Sequence, residues 1–238
     1  MKCLIVAAGQ GARLRVGVEL KPLVPVGGVP LIEHVIRRAR QAGVDEFFVV
    51  SGYRGDELRD ALDGLAARDG VCIRHIVNDE WQRANGVSLL KAKGHLDGRF
   101  LLTMCDHLVD PGIFRALMSV PPPPDSVILA VDFNIVDPLN DPEDVTRVAS
   151  ADGRIQAIGK GIETYDCFDT GVFLCTPAMF AALEESQASG DDSISGAMTV
   201  LAREGRALAF DIGDRAWIDV DDPVALGKAE ALLADGRL

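Results

Sequence analysis

The stretch LIVAAGQGARL, residues 4–14, predicts a buried strand that ends in a glycine-rich turn. Gly9 and Gly11 alternate after the apolar run, and Arg13 follows them. In an open α/β sheet, ligands bind beyond the carboxyl ends of the strands. Glycines at such a place let the backbone approach a ligand and offer N–H groups to anionic oxygens, and an arginine adds a fork suited to phosphate. The stretch therefore favours a triphosphate cradle.

Other interpretations of this turn remain open from these residues alone. A dinucleotide fold needs G-x-G-x-x-G, but Leu14 stands at the third glycine position. That fold also expects an acidic residue near the end of the second strand, which instead ends in Val50-Ser51-Gly52. The P-loop pattern G-x-x-x-x-G-K-[ST] is absent. A plain tight turn would explain the glycines equally well.

Length and charge narrow the class of protein. The chain has 238 residues, of which 48% are hydrophobic and 25% charged, a mixture typical of soluble globular proteins. Its net charge of −12 and the lack of a basic stretch argue against nucleic-acid binding. No apolar run reaches the roughly 18 residues of a membrane span, and the amino terminus does not resemble a signal peptide, so we expect a cytoplasmic protein. Cys3, Cys72 and Cys175 lie in apolar runs, which predicts reduced, buried thiols.

Alternating strand and helix patterns organise the chain. Short apolar runs alternate with amphipathic stretches such as PLIEHVIRRARQAG, which is typical of βαβ units on a parallel sheet. Asp152-Gly153 lies between two β-rich runs and predicts a hairpin. We therefore expect an α/β fold, a mostly parallel sheet with a small antiparallel annex. We expect one domain over residues 1–238, with a nucleotide-binding half at 1–120 and an acceptor-binding half at 125–238 after a proline run.

Several ordered motifs resemble one family. LIVAAGQGARL followed by Lys21-Pro22-Leu23 resembles the L-A-A-G-x-G-x-R-L and K-P-L signature of nucleotidyltransferases that activate sugar phosphates and other alcohol phosphates. The resemblance extends through NGVSLLKAK, LLTMCDH, DGRIQAIGK, DCFDTGVFL and WIDVDD, over roughly residues 3 to 232. This order looks most like the cytidylyltransferases that act on inositol 1-phosphate. It implies a three-layer α/β/α, Rossmann-like (GT-A-like) fold and the condensation of CTP with a phosphomonoester to a CDP-alcohol and pyrophosphate.

The resemblance also implies site residues. Arg13, Lys21 and Lys160 would be catalytic through their charge. The nucleotide would bind at Ala7, Ala8, Gly9, Gly11, Arg13, Lys21, Asn85, Gly86 and Asp106. The acceptor would bind at Lys160, Asp169 and Thr170. Without the resemblance, Lys160 would be an ordinary surface charge, Gly171 would simply end a turn, and Asn85 would cap a helix.

Carboxylates near two strand ends predict a Mg²⁺ site. Asp106 ends an apolar strand at the family's metal position, and Asp219 and Asp221 lie two apart, so that both would face one side of a strand. Mg²⁺ prefers such oxygen ligands together with phosphate oxygens. The alternative is a solvated acidic turn at 219–222 in which Asp222 caps the last helix.

A thiol relay through Cys105, Asp106 and His107 is disfavoured, because neighbouring residues of a strand point to opposite faces. Cys105 itself replaces a glycine usual in the family.

Other functions stay open at this point. A different base (UTP, GTP or dTTP) or a different acceptor (a hexose 1-phosphate, phosphocholine or a phosphonate) would use the same residue types. A non-catalytic nucleotide-binding regulator on the same fold is a further alternative, and a dehydrogenase is the last. For a CDP-alcohol product, the resemblance implies a separate membrane enzyme that consumes it.

Overall fold

A nine-stranded mixed sheet runs through the computed structural model, which describes residues 1–11, 13–14, 20–121, 123–137 and 139–238. Parts of the loop between Arg13 and Lys21 and of the proline run lie outside the described residues. The strands in chain order are β1 (Lys2–Ala7), β2 (Pro25–Val26), β3 (Val29–Pro30), β4 (Glu46–Ser51), β5 (Cys72–Val77), β6 (Phe100–Met104), β7 (His107–Val109), β8 (Val127–Asp132), β9 (Arg147–Ala151), β10 (Arg154–Gly159), β11 (Cys167–Cys175), β12 (Ala207–Asp211) and β13 (Trp217–Asp219).

Helices cover both faces of this sheet. They are α1 (Leu31–Gln41), α2 (Gly55–Asp69), α3 (Asn85–Lys91), α4 (Pro111–Ser119), α5 (Ala178–Ala188), α6 (Ile194–Arg203) and α7 (Pro223–Ala234), and a short 3₁₀ turn spans Lys21–Leu23. Apolar side chains of α1, α2, α4 and α7 join one core cluster, and those of α3, α5 and α6 join the other. Residues of β1 alternate between the two: Cys3 and Ile5 enter the first core, Leu4 and Val6 the second. The predicted three-layer fold is confirmed.

Strand order explains where parallel and antiparallel pairing meet. The order is β5-β4-β1-β6-β11-β8-β12-β10-β9, and β5, β4, β1 and β6 are mutually parallel. Strand β11 runs antiparallel to both of its neighbours in the order, β6 and β8. The carboxyl ends of β1 and β6 therefore lie side by side at one edge of the sheet, and β6 separates β1 from β11.

The hairpin at Asp152-Gly153 forms as the sequence predicts. Both residues have positive φ angles, 51° and 73°, which suit a two-residue turn between right-twisted strands. Its strands, β9 and β10, pair with each other and extend the main sheet beside β12. Two small antiparallel sheets, β2 with β3 and β7 with β13, lie outside the main one.

One cysteine differs from expectation. Cys3 and Cys175 are buried, but Cys72 is exposed, so its predicted burial is wrong. The reason is that β5 is an edge strand whose residues are mostly solvent-accessible. Within the described residues, no helix combines the length and the apolar character that crossing a membrane requires.

Candidate active site

A cleft lies beyond the carboxyl ends of β1 and β6. Its first cavity, here called the nucleotide cavity, has a volume of about 340 Å³. Its walls include Ala7, Ala8, Gly9, Gly11, Arg13, Lys21, Asn85, Asp106 and Asp221. Most residues that the sequence assigned to nucleotide binding are thus brought together at one edge of the sheet.

Gly11 is required for the approach of Lys21. Its φ is +59°, a conformation that favours glycine, and a Cβ on Gly11 would lie 2.3 Å from Cβ of Lys21. Lys21 opens the 3₁₀ turn, where Pro22 fixes the following backbone. Only 5% of Lys21 is exposed, so its ammonium group is held in place inside the cleft.

Carboxylates neutralise the cations of the cleft. Nζ of Lys21 donates to Oδ2 of Asp106 at 2.5 Å and also contacts Asp221. Arg13 pairs with Asp221 and with Oδ2 of Asp144, the latter at 2.5 Å. Burial by itself would lower the pKa of Lys21, but the facing carboxylates outweigh it and hold the pKa above its ordinary value. Lys21 is therefore charged at every physiological pH.

A two-stranded ribbon brings Asp219 to Asp106. Strand β13 pairs with β7 so that Asp219 lies opposite His107. Nδ1 of His107 is 2.8 Å from Oδ1 of Asp106, and its Nε2 is 3.9 Å from Oδ2 of Asp219. Among the described residues, donor atoms of these three side chains lie within 4.8 Å of one another, close enough to share a metal ion.

The pKa values of Asp106 and Asp219 are shifted in opposite directions. Burial would raise the pKa of Asp106, but Lys21 and His107 lower it well below its usual range. Burial raises the pKa of Asp219, and the neighbouring carboxylates add to the increase. Burial would lower the pKa of His107, whereas Asp219 and Asp106 raise it to about 9. Oδ1 of Asp219 is buried without a hydrogen-bond partner among the described residues, which leaves one oxygen for a ligand.

Asp221 pairs with the cations of the cleft and shares Lys21 with Asp106. Strand β13 ends at Asp219, so the expected strand carrying both carboxylates on one face is wrong. Asp221 turns to Lys21 and Arg13 instead. The next residue, Asp222, accepts a hydrogen bond from the Ala225 N–H at 2.8 Å and caps α7, as the sequence predicts.

A second, smaller cavity adjoins the first. This acceptor cavity, of about 110 Å³, includes Lys160, Asp169 and Asp219 in its wall. Lys160 follows β10, and its Nζ donates to Oδ1 of Asp144 at 3.2 Å. Burial raises the pKa of Asp169 to about 6, although the Gly171 N–H donates to its carboxylate at 2.7 Å. The hydroxyl of Thr170 instead donates to the Ala130 carbonyl inside the core, at 2.9 Å.

The two cavities share a wall made of Asn85, Met104 and His107. Asn85 is not the cap of α3, since Ala84 holds that position. The Asn85 side-chain oxygen accepts the Ile194 N–H at 3.0 Å, so the sequence's capping alternative is wrong. Gly86 has a packing role, because a Cβ there would lie 2.3 Å from the Asp192 carbonyl oxygen.

Sequence reasoning missed His107 and Asp144 as residues of the cleft. Asp106 lies in the turn between β6 and β7, so the strand argument that separated it from His107 does not hold. Cys105 takes no part in the contact between Asp106 and His107, and burial raises the pKa of its thiol well above the usual value. Asp144, which joins Arg13 to Lys160, carries no signal in sequence, because its loop has no motif of its own.

A cleft of this kind, with cations and carboxylates beyond the carboxyl ends of parallel strands, suits nucleotide chemistry. The chain belongs to the family described as the MobA-like NTP transferase domain, whose model matches residues 3–206. It is therefore a nucleotidyltransferase, as the resemblance implies.

Two curated proteins are similar to this chain over nearly its whole length. The chain is 35% identical over 233 residues to the "Bifunctional IPC transferase and DIPP synthase" of Rubrobacter xylanophilus, which covers 96% of this chain and 51% of that protein. It is 29% identical to the protein of the same name from Archaeoglobus fulgidus, over 100% of this chain and 45% of the relative. The chain thus spans about half the length of these curated relatives.

A solved structure with a related name has a similar fold. The inositol-1-phosphate CTP transferase from T. maritima superimposes with a TM-score of 0.86 at 26% identity. The match covers 98% of this chain and 94% of that one. The similarity to a cytidylyltransferase that acts on inositol 1-phosphate, first indicated by the motifs, is confirmed.

Proposed function

We propose that this chain transfers the cytidylyl group of CTP to inositol 1-phosphate, with release of pyrophosphate. The observation that carries the proposal is the pair of adjoining cavities that share one wall, the first lined by Arg13 and Lys21 and the second by Lys160. A transferase needs two anionic substrates held side by side, and this arrangement provides it. The names of the relatives from R. xylanophilus, A. fulgidus and T. maritima support the choice of base and acceptor.

In the proposed reaction, an oxygen of the acceptor phosphate attacks the α-phosphorus of CTP. A new P–O bond forms, the bond between the α-phosphorus and the bridging oxygen breaks, and pyrophosphate leaves with that oxygen. No covalent intermediate with the protein is needed, so catalysis depends on positioning and on neutralising charge. Arg13 and the N–H groups of Gly9 and Gly11 bind the departing β- and γ-phosphates. Lys21 bridges the α-phosphate and the acceptor phosphate, and Lys160 binds the latter.

Asp106 and Asp219 fit a Mg²⁺ ion. Their oxygens are ligands that this cation prefers, and the buried Oδ1 of Asp219 lacks a partner among the described residues. Burial raises the pKa of Asp219 and the neighbouring carboxylates add to the increase, so a bound cation would stabilise the charged form of this carboxylate. Bound there, Mg²⁺ would supply positive charge at the α-phosphate.

A substrate panel tests the function. CTP, UTP, GTP, ATP and dTTP are each combined with inositol 1-phosphate, glucose 1-phosphate, phosphocholine and a phosphonate, and pyrophosphate release is measured. The expected result is the highest kcat/KM for CTP with inositol 1-phosphate. Faster turnover with another pair would assign a different nucleotidyltransferase specificity. Nucleotide binding without pyrophosphate release from any pair would contradict catalysis and favour a regulator.

A further inference from the structure

His107 occupies the space between the two aspartates proposed to hold a cation. Its Nδ1 lies 2.8 Å from Asp106 and its Nε2 lies 3.9 Å from Asp219. The two aspartates are far apart in sequence and belong to different segments, one in the turn after β6 and the other at the end of β13. The imidazole is thus the side chain that touches or approaches both carboxylates from within the ribbon.

The imidazole ring is fixed from two sides. The ring of Trp217 stacks on it with a centroid separation of 6.4 Å and an interplanar angle of 15°. Trp217 is itself anchored, since its Nε1 donates to Oδ2 of Asp132 at 2.7 Å. From β11, Gly171 lies so close that a Cβ there would be 2.3 Å from Cδ2 of His107. The φ of Gly171 is +72°, so a side chain is excluded by space and by backbone conformation.

This position also borders both substrate cavities. His107 lines the nucleotide cavity and the acceptor cavity. A displaced ring would therefore change the separation of the carboxylates and the wall between the substrates together. Such constraint around a side chain is expected where its orientation matters for the groups that it contacts.

The geometry points to His107 as a positioning residue that holds Asp106 and Asp219 at the separation needed to share one divalent cation. This inference rests on the proposed function, which places the cation on these two aspartates. Its action goes through the two ring nitrogens that face the carboxylates, and the stack on Trp217 fixes their direction. A residue that merely filled the same space would keep the stack but would not hold the carboxylates.

The experiment distinguishes the effect of the ring nitrogens of His107 from the effect of the space that its ring fills. His107→Phe keeps an aromatic ring against Trp217 but removes both nitrogens, and His107→Asn restores one N–H near Asp106. The matched control is His75→Phe, because Nε2 of His75 also lies 2.8 Å from an aspartate, Asp63, but neither residue lines the two cavities. Binding of Mn²⁺ alone to the full chain is followed by the electron paramagnetic resonance signal of the free ion, and circular dichroism and Tm report folding.

The expected result is a weakening of Mn²⁺ binding by about 10- to 100-fold in His107→Phe at unchanged Tm, the range seen when a partner of a metal ligand is removed. His107→Asn should lie between it and the wild type, and His75→Phe should bind as the wild type does. If His107→Phe does not fold, His107→Ala, which leaves space rather than a clash, takes its place. Wild-type Mn²⁺ affinity in the folded Phe or Ala variant would overturn the positioning role.

Failure of the proposed function would look different. In that case the wild-type chain itself would bind no Mn²⁺ and release no pyrophosphate, which would overturn both proposals. Mn²⁺ binding by the wild type with equal binding by His107→Phe would overturn only the role of His107.

Discussion

Lys21 and Asp106 form an ion pair in which Nζ lies 2.5 Å from Oδ2, although 85 residues separate them in the chain. The pair joins the turn after β1 to the turn after β6, two neighbouring strands of the sheet. It places Lys21, which is more buried than Arg13 or Lys160, beside the carboxylate proposed to hold Mg²⁺. Because the two groups are so close, loss of either one should disturb the other.

Removal of either member should abolish most of the activity. We expect Lys21→Ala and Asp106→Ala each to lower kcat by a factor of roughly 10² or more, the scale of one lost electrostatic contact in a transition state. Pyrophosphate release from CTP and inositol 1-phosphate measures the effect. Lys93→Ala is the matched control, because Lys93 pairs with Glu184 on the surface and lines neither cavity. Near-wild-type turnover in either of the first two variants would contradict their assignment.

Chelation of divalent cations should stop the reaction. With Asp106 and Asp219 as ligands, we expect EDTA to abolish pyrophosphate release and an excess of Mg²⁺ or Mn²⁺ to restore it. Asp219→Asn should need a higher Mg²⁺ concentration for half-maximal turnover, because one ligand charge is lost. The titration of activity with Mg²⁺ checks both expectations. Undiminished turnover in EDTA would show that the carboxylates serve another purpose.

Gly11 and Gly9 offer a comparison of two glycines in one turn. Gly11→Ala should lower stability by about 1–3 kcal/mol, because the new Cβ would collide with Lys21 and its φ is positive. A Cβ on Gly9 meets nothing within 4 Å, so Gly9→Ala should leave the Tm nearly unchanged. Thermal unfolding followed by circular dichroism distinguishes them. Equal Tm values for the two variants would contradict the close approach of Lys21.

Asp144 should compete with substrate phosphates for Arg13 and Lys160. Without its carboxylate Lys160 and Arg13 each lose one anionic partner, although Arg13 keeps Asp221. Asp144→Asn should therefore tighten pyrophosphate binding by about five-fold, the scale of one charge at about 4 Å in water. Stability should change by less than about 0.5 kcal/mol, since the pairs are largely exposed. Isothermal titration calorimetry measures the affinity. Asp152→Asn also removes one negative charge but lies in the hairpin turn, and equal tightening there would point to net charge alone.

The carboxyl group of Asp169 should make stability depend on pH. Its pKa is about 6 in the folded chain, raised from 3.8, so its contribution to stability is present below pH 4 and is lost as the pH rises through 6. Asp169→Asn, which can still accept the Gly171 N–H, should therefore be more stable than wild type at pH 7.5, by up to about 3 kcal/mol. This advantage should disappear near pH 4. Urea unfolding in EDTA at both pH values measures it, and a difference that does not change with pH would refute the raised pKa.

Local patterns predicted the parts of the site that depend on neighbouring residues. The strand, glycine turn and Arg13, followed by Lys21 and Pro22, occur close together in sequence, so their arrangement could be predicted from it. The alternation of strands and helices also predicted the layers, because parallel strands place their carboxyl ends at one edge. The cap at Asp222 follows from the same short-range logic.

Contacts that depend on long-range strand pairing could not be predicted from the sequence. His107 meets Asp219 only because β7 pairs with β13, and nothing near either residue specifies that register. Asp221 leaves the expected face because β13 stops after Asp219, and its carboxylate pairs with Lys21 and Arg13. The roles of the individual site residues, including Lys160 and Asp169, stay predictions until the variants are measured.

The exposed fraction of the side chain differs between Lys21, Arg13 and Lys160. The Lys21 side chain is only 6% exposed, whereas those of Arg13 and Lys160 are 55% and 57% exposed. The ion pairs that hold Arg13 and Lys160 lie near solvent and are therefore weak, so these two side chains can exchange a carboxylate for an arriving phosphate. Capture from solution and final alignment thus fall to different residues, and mutations at the entrance should slow association while those at the buried lysine should slow the chemical step.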